Sequence, residues 1–251
     1  LRNRYENLLI DKFLREAPVP VVVSNSDTLK FSGAGKYLKT IYALPADKPE
    51  SEFLKALSDV ADRQFNSALA HYDHAVDGET SDKYAALYKS FYYMNRGVLR
   101  ADMIDFISSI ENNVQTLTMD DQGTTRARVK DQVSRTYDYS DAIEDMKKAI
   151  EVVGDIPYAY FNLANLQCLS SSYVEAINNY TKAISCYPYL ADAYFNRGLV
   201  LIYSKDKEKG CIDLSNAGEL GVADAYSVIK KYCEQEQHNS TRRNNDAQLH
   251  E

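Results

Sequence analysis

Apolar positions along the chain recur mostly at steps of three and four, the spacing that puts side chains on one face of an α-helix. The pattern is clearest between Tyr139 and Tyr232, where it also repeats at a fixed period. Tyr160-Phe161-Asn162 returns as Tyr194-Phe195-Asn196, and Ala149, Ala183 and Ala217 are evenly spaced (183 − 149 = 217 − 183 = 34). Ala142, Ala176 and Gly210 keep the same step. Within one period Tyr160, Leu163, Ala164, Gln167 and Cys168 mark a first helix, and Ala176, Ile177, Tyr180, Ala183 and Ile184 a second. Ser170-Ser171-Ser172 between them suits a turn, because short hydroxyl side chains compete with the helical backbone for hydrogen bonds. Pro188 closes the second helix, since it has no amide hydrogen with which to continue it. The unit is a hairpin of two antiparallel helices. One hairpin cannot bury both of its faces, so a fixed period of this length predicts a stack. Ala164, Gly198, Ala176, Gly210 and Ala183 mark where helix axes come closest.

The pattern also divides the rest of the chain. Residues 1–50 read as an N-terminal helix, an extended excursion and a linker. Tyr5, Leu8, Leu9, Phe13 and Leu14 have helical spacing and stop before Pro18 and Pro20. Val21-Val22-Val23 and Thr28–Phe31 flank the polar Ser24-Asn25-Ser26-Asp27, which predicts a short β-prone stretch. Helical spacing resumes over 51–118, through Phe53, Leu57, Val60, Ala68, Tyr72 and Val76, then Tyr84, Tyr88 and Tyr92. A break is expected near Gly97 before Met103, Ile104, Ile107 and Ile110. These helices are expected to be degenerate units of the same class. Residues 119–138 read as a polar connecting segment, either a loop or a poorly matching helix. Repeats and a capping helix occupy 139–233. Residues 234–251 lack the apolar surface to offset ordering entropy and predict a disordered tail.

Composition narrows the function more than the fold. A formal net charge of −7 and a pI near 5.2 argue against a general binder of nucleic acid or anionic membrane. No apolar run is long enough to span a bilayer. The chain opens at Leu1 without a methionine, as a fragment or a processed product would. Cys168, Cys186, Cys211 and Cys233 form no C-x-x-C pair and fit no zinc spacing, so they read as small buried hydrophobes. Gly33-Ala34-Gly35-Lys36 lacks the first glycine and the hydroxyl of a phosphate loop, and Tyr37 follows it instead. His71 and His74 sit three apart, with Asp73 and Asp77 nearby, but a metal site needs further ligands, so they read as one solvated helix face. No nucleophile–base grouping is suggested by spacing. The expectation is a protein that is not an enzyme, with no catalytic residues, no metal and no cofactor.

The repeating residues resemble the tetratricopeptide repeat. Tyr160, Leu163, Ala164, Ala176, Tyr180, Ala183 and Pro188 match its pattern, with a departure at Gln167. The next unit matches at Tyr194, Gly198 and Ala217, and departs at Arg197, where the pattern has leucine, and at Leu201, Gly210, Leu214 and Val222. The resemblance covers about 95 residues. It implies an all-α fold, a right-handed superhelical solenoid of antiparallel helix hairpins, with the irregular or β-prone segment at the N-terminus. It implies a scaffold that binds a protein or peptide in a concave groove lined by first helices. Carried over, the partner-binding positions are Tyr158, Phe161, Asn162, Asn165 and Leu169, then Asp192, Phe195, Asn196, Leu199 and Tyr203. Asn165 and Asn196 match the asparagines of the family's carboxylate clamp. Phe161 and Asp224 stand where its lysines would be, so an apolar or mixed peptide, or a neighbouring subunit, fits better than an acidic terminus. The stretch from Lys209 to Gly221, followed by Ala225–Cys233, resembles the last repeat of exported tetratricopeptide proteins of Bacteroidetes-type bacteria. Asp27-Thr28-Leu29 resembles the O-glycosylation acceptor motif of such proteins. That resemblance implies a periplasmic or envelope location and an alternative role as an assembly subunit without a peptide groove. A second alternative is the helical domain of a longer enzyme. Neither the partner nor the oligomeric state is written in the sequence.

Overall fold

The computed structural model describes residues 48–79, 83–113, 116–119, 125–128 and 137–234. The expectations for the N-terminal helix, the β-prone excursion, the Gly33–Lys36 and Asp27–Leu29 motifs and the tail beyond Glu234 lie outside the described residues. The described elements fall into two compact units that divide between Gly154 and Asp155.

The first unit contains α1 (Pro49–Ala61), α2 (Phe65–Asp77), α3 (Ala85–Asn113), strands β1 (Thr116–Met119) and β2 (Thr125–Arg128), and α4 (Ser140–Val152). In α1 and α2, Ala56, Ala68, Tyr72 and Ala75 are all at most 1% exposed. Their spacing is that of Ala164, Ala176, Tyr180 and Ala183, so this pair is built on the same small–small–aromatic–small frame. Helix α3 then packs on α2 and pairs with α4. It runs unbroken through Gly97, where the sequence predicted an interruption. The glycine is there for approach: a Cβ at this position would lie 2.9 Å from Met146 Cε and 3.0 Å from the carbonyl oxygen of Ala142. The gain in close packing against α4 outweighs the roughly 0.5–1 kcal/mol that a mid-helix glycine costs.

The connection from α3 to α4 differs from the expectation of a loop or poor helix. It carries an antiparallel hairpin, with Thr116 opposite Arg128 and Met119 opposite Thr125. Thr116, Thr118 and Thr125 are β-branched, a residue type that favours extended backbone over helix. Apart from this hairpin, the described residues form helices joined by turns.

The second unit holds α5 (Pro157–Leu169), α6 (Tyr173–Cys186), α7 (Ala191–Tyr203), α8 (Lys207–Glu219) and α9 (Asp224–Tyr232). Phe161, Ala164, Cys168, Ala176, Tyr180, Ala183, Leu190 and Ala193 form one core cluster. Phe195, Leu199, Leu214, Ala217, Ala225 and Val228 form another. At Gly198 an added Cβ would lie 2.9 Å from the carbonyl oxygen of Gly210, so both small residues are needed where α7 crosses α8.

The tight turns of three hairpins, α1–α2, α5–α6 and α7–α8, share one geometry. Arg63, Ser171 and Lys205 have φ of 60°, 63° and 69°. In each case the next residue's amide reaches back across the helix end: Gln64 to Asp59 at 2.8 Å, Ser172 to Gln167 at 2.7 Å, and Asp206 to Leu201 at 2.9 Å. This left-handed cap satisfies carbonyls that a helix end leaves without partners, and it reverses the chain within a few residues.

The cysteines depart from their expected role. Cys211 in α8 and Cys233, just after α9, form a disulfide with Cα atoms 6.0 Å apart. Cys168 is buried as expected, whereas Cys186 is exposed. Two cysteines on packed helices read as hydrophobes in a one-dimensional pattern, because nothing in spacing alone shows that α9 folds back on α8.

Candidate partner-binding face

Helices α5 and α7 are the first helices of successive hairpins, and the same steps that build their cores also fix a second face. Tyr158, Phe161, Asn162, Asn165 and Leu169 lie along one side of α5, and Asp192, Phe195, Asn196, Leu199 and Tyr203 along the matching side of α7. The two sides meet at their asparagines. Asn196 Nδ2 donates to Asn165 Oδ1 at 3.0 Å. Tyr180, from α6, donates its hydroxyl to the same oxygen at 2.6 Å. Burial pushes the Tyr180 hydroxyl far above its ordinary pKa, so it stays a neutral donor. Asn165 Nδ2 and Asn196 Oδ1, one donor and one acceptor, are buried and have no partner among the described residues.

Burial sorts the ten positions into two groups. Phe161, Asn165, Phe195, Asn196 and Leu199 are at most 3% exposed, and Asp192 is 9% exposed. Phe161 and Asn165, carried over above as partner-binding positions, are instead packed inside the protein. Phe161 lies 6.0 Å, centroid to centroid, from the Tyr180 ring and belongs to the core of its hairpin. A helix of this kind is apolar nearly all round, because it is covered by its partner on one side and by the next hairpin on another. Asn162 and Leu169 are half-buried, and Tyr158 and Tyr203 are exposed. Tyr203 stacks edge-on against Tyr173 at 5.0 Å. The buried members form a floor with two polar groups in it, and the tyrosines at either end are accessible.

Another pair of contacts escaped the sequence reading. Arg197, a departure from the repeat pattern, forms a two-pronged ion pair with Asp213 at 2.7 and 2.8 Å. Its guanidinium also lies over the Tyr194 ring at 5.7 Å. In the first unit Arg96 pairs in the same way with Asp145, at 3.0 and 2.6 Å, and lies 5.5 Å from the Tyr93 ring. Arg96 reaches Asp73 on α2 as well, and Arg100 shares Asp145. Burial works against the Arg96 charge, but the hydrogen bonds and charge of Asp145, and then of Asp73, outweigh it and raise its pKa. The signal was present: Asn95-Arg96-Gly97 repeats Asn196-Arg197-Gly198 letter for letter. It was hidden because the long connection between α3 and α4 throws the first copy out of the fixed period.

No protein-family model matches the sequence, and a comparison with curated proteins finds no match. Solved structures do share the fold. A crystal structure of MamA aligns over 78% of this chain and 91% of its own, at 17% identity and a TM-score of 0.52. MamA 41-end from Desulfovibrio magneticus RS-1 aligns over 87% of this chain and 94% of its own, at 12% identity and a TM-score of 0.50. At these identities the likeness is one of fold: a tetratricopeptide-type array of consecutively packed helix pairs.

Proposed function

We propose that the protein is a non-catalytic interaction scaffold that binds an extended peptide, or a segment of a protein partner, along the first-helix face of α5 and α7. The observation that carries this reading is the accessible side of the two first helices, where Tyr158, Asn162 and Tyr203 reach solvent over buried positions that Asn165 and Asn196 tie together. An extended backbone offers a carbonyl and an amide at each residue, and the half-buried amide of Asn162 can both donate and accept. Tyr158 and Tyr203 add large, accessible aromatic surface at either end, the residue type that most often carries interface energy. The preferred partner is apolar or mixed in character, since Phe161 and Asp224 stand where an acidic terminus would need lysines.

The test begins with a peptide display library selected against the full chain, followed by calorimetric titration of an enriched peptide. Tyr158→Ala with Tyr203→Ala is expected to weaken binding at least tenfold, about 1.4 kcal/mol. The melting temperature should stay near that of the parent, because both rings are exposed. If no peptide is enriched, or if the pair of substitutions leaves affinity unchanged, the face is not the binding surface. A second reading is favoured by the Cys211–Cys233 bond: disulfides persist in oxidising compartments, which suits a subunit of an exported envelope assembly, as the Bacteroidetes-type resemblance implies.

A further inference from the structure

The paired helices of the first unit bring Glu52 against two histidines that lie nineteen and twenty-two residues further along the chain (71 − 52 = 19, 74 − 52 = 22). Helix α1 supplies Glu52, and α2 supplies His71 and His74, one turn apart on one face. One ligand atom from each lies within 4.8 Å of the other two. His71 Nδ1 is 2.5 Å from Glu52 Oε2, and His74 Nδ1 is 3.8 Å from the same oxygen. We propose that Glu52, His71 and His74 form a binding site for a divalent transition-metal ion, with zinc as the fitting ion, that clamps α1 to α2.

Zinc holds nitrogen and oxygen donors at about 2.0–2.2 Å, which in a tetrahedron leaves neighbouring donors roughly 3.3 Å apart. The separations of 2.5 and 3.8 Å from Glu52 fall on either side of that value and change by less than about 1 Å when the ion enters, while the two histidine donors, within 4.8 Å of each other, draw together onto it. Two imidazoles and one carboxylate suit zinc better than calcium or magnesium, which favour all-oxygen sets. The surroundings are also those of a built site. His71 Nε2 faces Asp59 Oδ2 at 3.7 Å, and Asp59 is 1% exposed. At 3.7 Å the two are not hydrogen-bonded, but a shift of under about 1 Å would let this buried carboxylate accept from the far nitrogen, the contact that orients a metal-bound imidazole. Glu52 is buried, and Lys55 Nζ holds its other oxygen at 2.7 Å, which leaves Oε2 aimed at the histidines. The His74 side chain is 73% exposed, giving the ion an entry path and leaving a fourth position to water.

The competing reading is a plain ion pair between α1 and α2, since the α3–α4 and α7–α8 pairs are joined by Arg96–Asp145 and Arg197–Asp213. His74 separates the two readings. It is exposed, and a structural Glu52–His71 pair has no use for it. The experiment is calorimetric titration of the metal-stripped full chain with Zn²⁺, with Co²⁺ absorption as a report on geometry. The parent should bind one Zn²⁺ at this site, gain melting temperature from it, and give the visible bands of tetrahedral Co²⁺. His74→Ala should leave the metal-free melt unchanged while weakening Zn²⁺ binding at least tenfold and removing the zinc-induced rise. His71→Ala should abolish the Co²⁺ bands. The proposal is overturned if the parent takes up no Zn²⁺. It is equally overturned if His74→Ala binds as tightly as the parent, which would place the metal elsewhere, for instance on His238 and His250.

Discussion

Arg96 and Arg197 each occupy a position at which the repeat pattern has leucine, and each is held between an aspartate and a tyrosine ring. Placing a guanidinium there costs desolvation, which only a well-formed partner offsets. Asp145 is 1% exposed, so its charge depends on Arg96 and Arg100. Removing Arg96 leaves a buried carboxylate with one arginine instead of two. Arg96→Ala is therefore expected to destabilise the chain by about 3 kcal/mol, read by urea denaturation. Arg96→Leu combined with Asp145→Leu should recover most of that loss, because apolar residues of similar size remove both charges together. A near-neutral Arg96→Ala would show that Asp145 is satisfied without it. Ala164, Ala176, Tyr180 and Ala183 were legible in the sequence because steric demands repeat with the period. The arginines were not, because a single polar letter at an apolar position looks like decay until its partner is found across the hairpin. His71 and His74 were read as one solvated helix face for a related reason. The acid nearest His71, Glu52, lies on another helix, whereas Asp73 and Asp77, the neighbours visible in sequence, do not share its site.

At the scale of elements, helix spacing was read correctly wherever apolar residues recur at three and four, and it failed where geometry is set by close approach. Gly97 looked like a break because glycine is a poor helix former, yet α3 needs its missing Cβ to meet Met146. The β1–β2 hairpin was missed because its strands are four residues each, too short for a period of two to show. The disulfide belongs to this scale as well, since it fastens a whole element. Helix α9 covers the end of the α8 core with Ala225 and Val228, a small apolar face for a nine-residue helix. A cross-link spanning a sequence separation of 22 removes conformational freedom from the unfolded chain, worth about 3 kcal/mol in the loop-entropy account. Reduction under native conditions should lower the midpoint of denaturation accordingly. Cys211→Ala with Cys233→Ala should reproduce that loss and make the chain insensitive to reductant. If reductant leaves the midpoint unmoved, α9 is held by packing alone.

At the scale of the molecule, the period announced an array of hairpins, and the interruption between α3 and α4 is what put the first unit out of the fixed period, so that its helices read only as degenerate units of the same class. The second unit is the better test of whether the array is divisible. Its two core clusters draw only on residues of α5–α9 and their connecting turns. Its buried polar groups, Asn165, Asn196 and Tyr180, bond among themselves, and Asp213 is matched by Arg197 within the unit. The Cys211–Cys233 bond adds a cross-link that holds its last helix to this core. The fragment 155–251 is therefore expected to fold by itself, with a helical circular dichroism spectrum and one cooperative thermal transition. Its transition should fall sharply when the disulfide is reduced, more so than in the full chain, because the fragment has less stability in reserve. In repeat arrays stability is a sum of unit and neighbour terms. A fragment that is helical but melts without cooperativity would mean that neighbour terms dominate, and that the clusters of the second unit do not suffice to specify its fold.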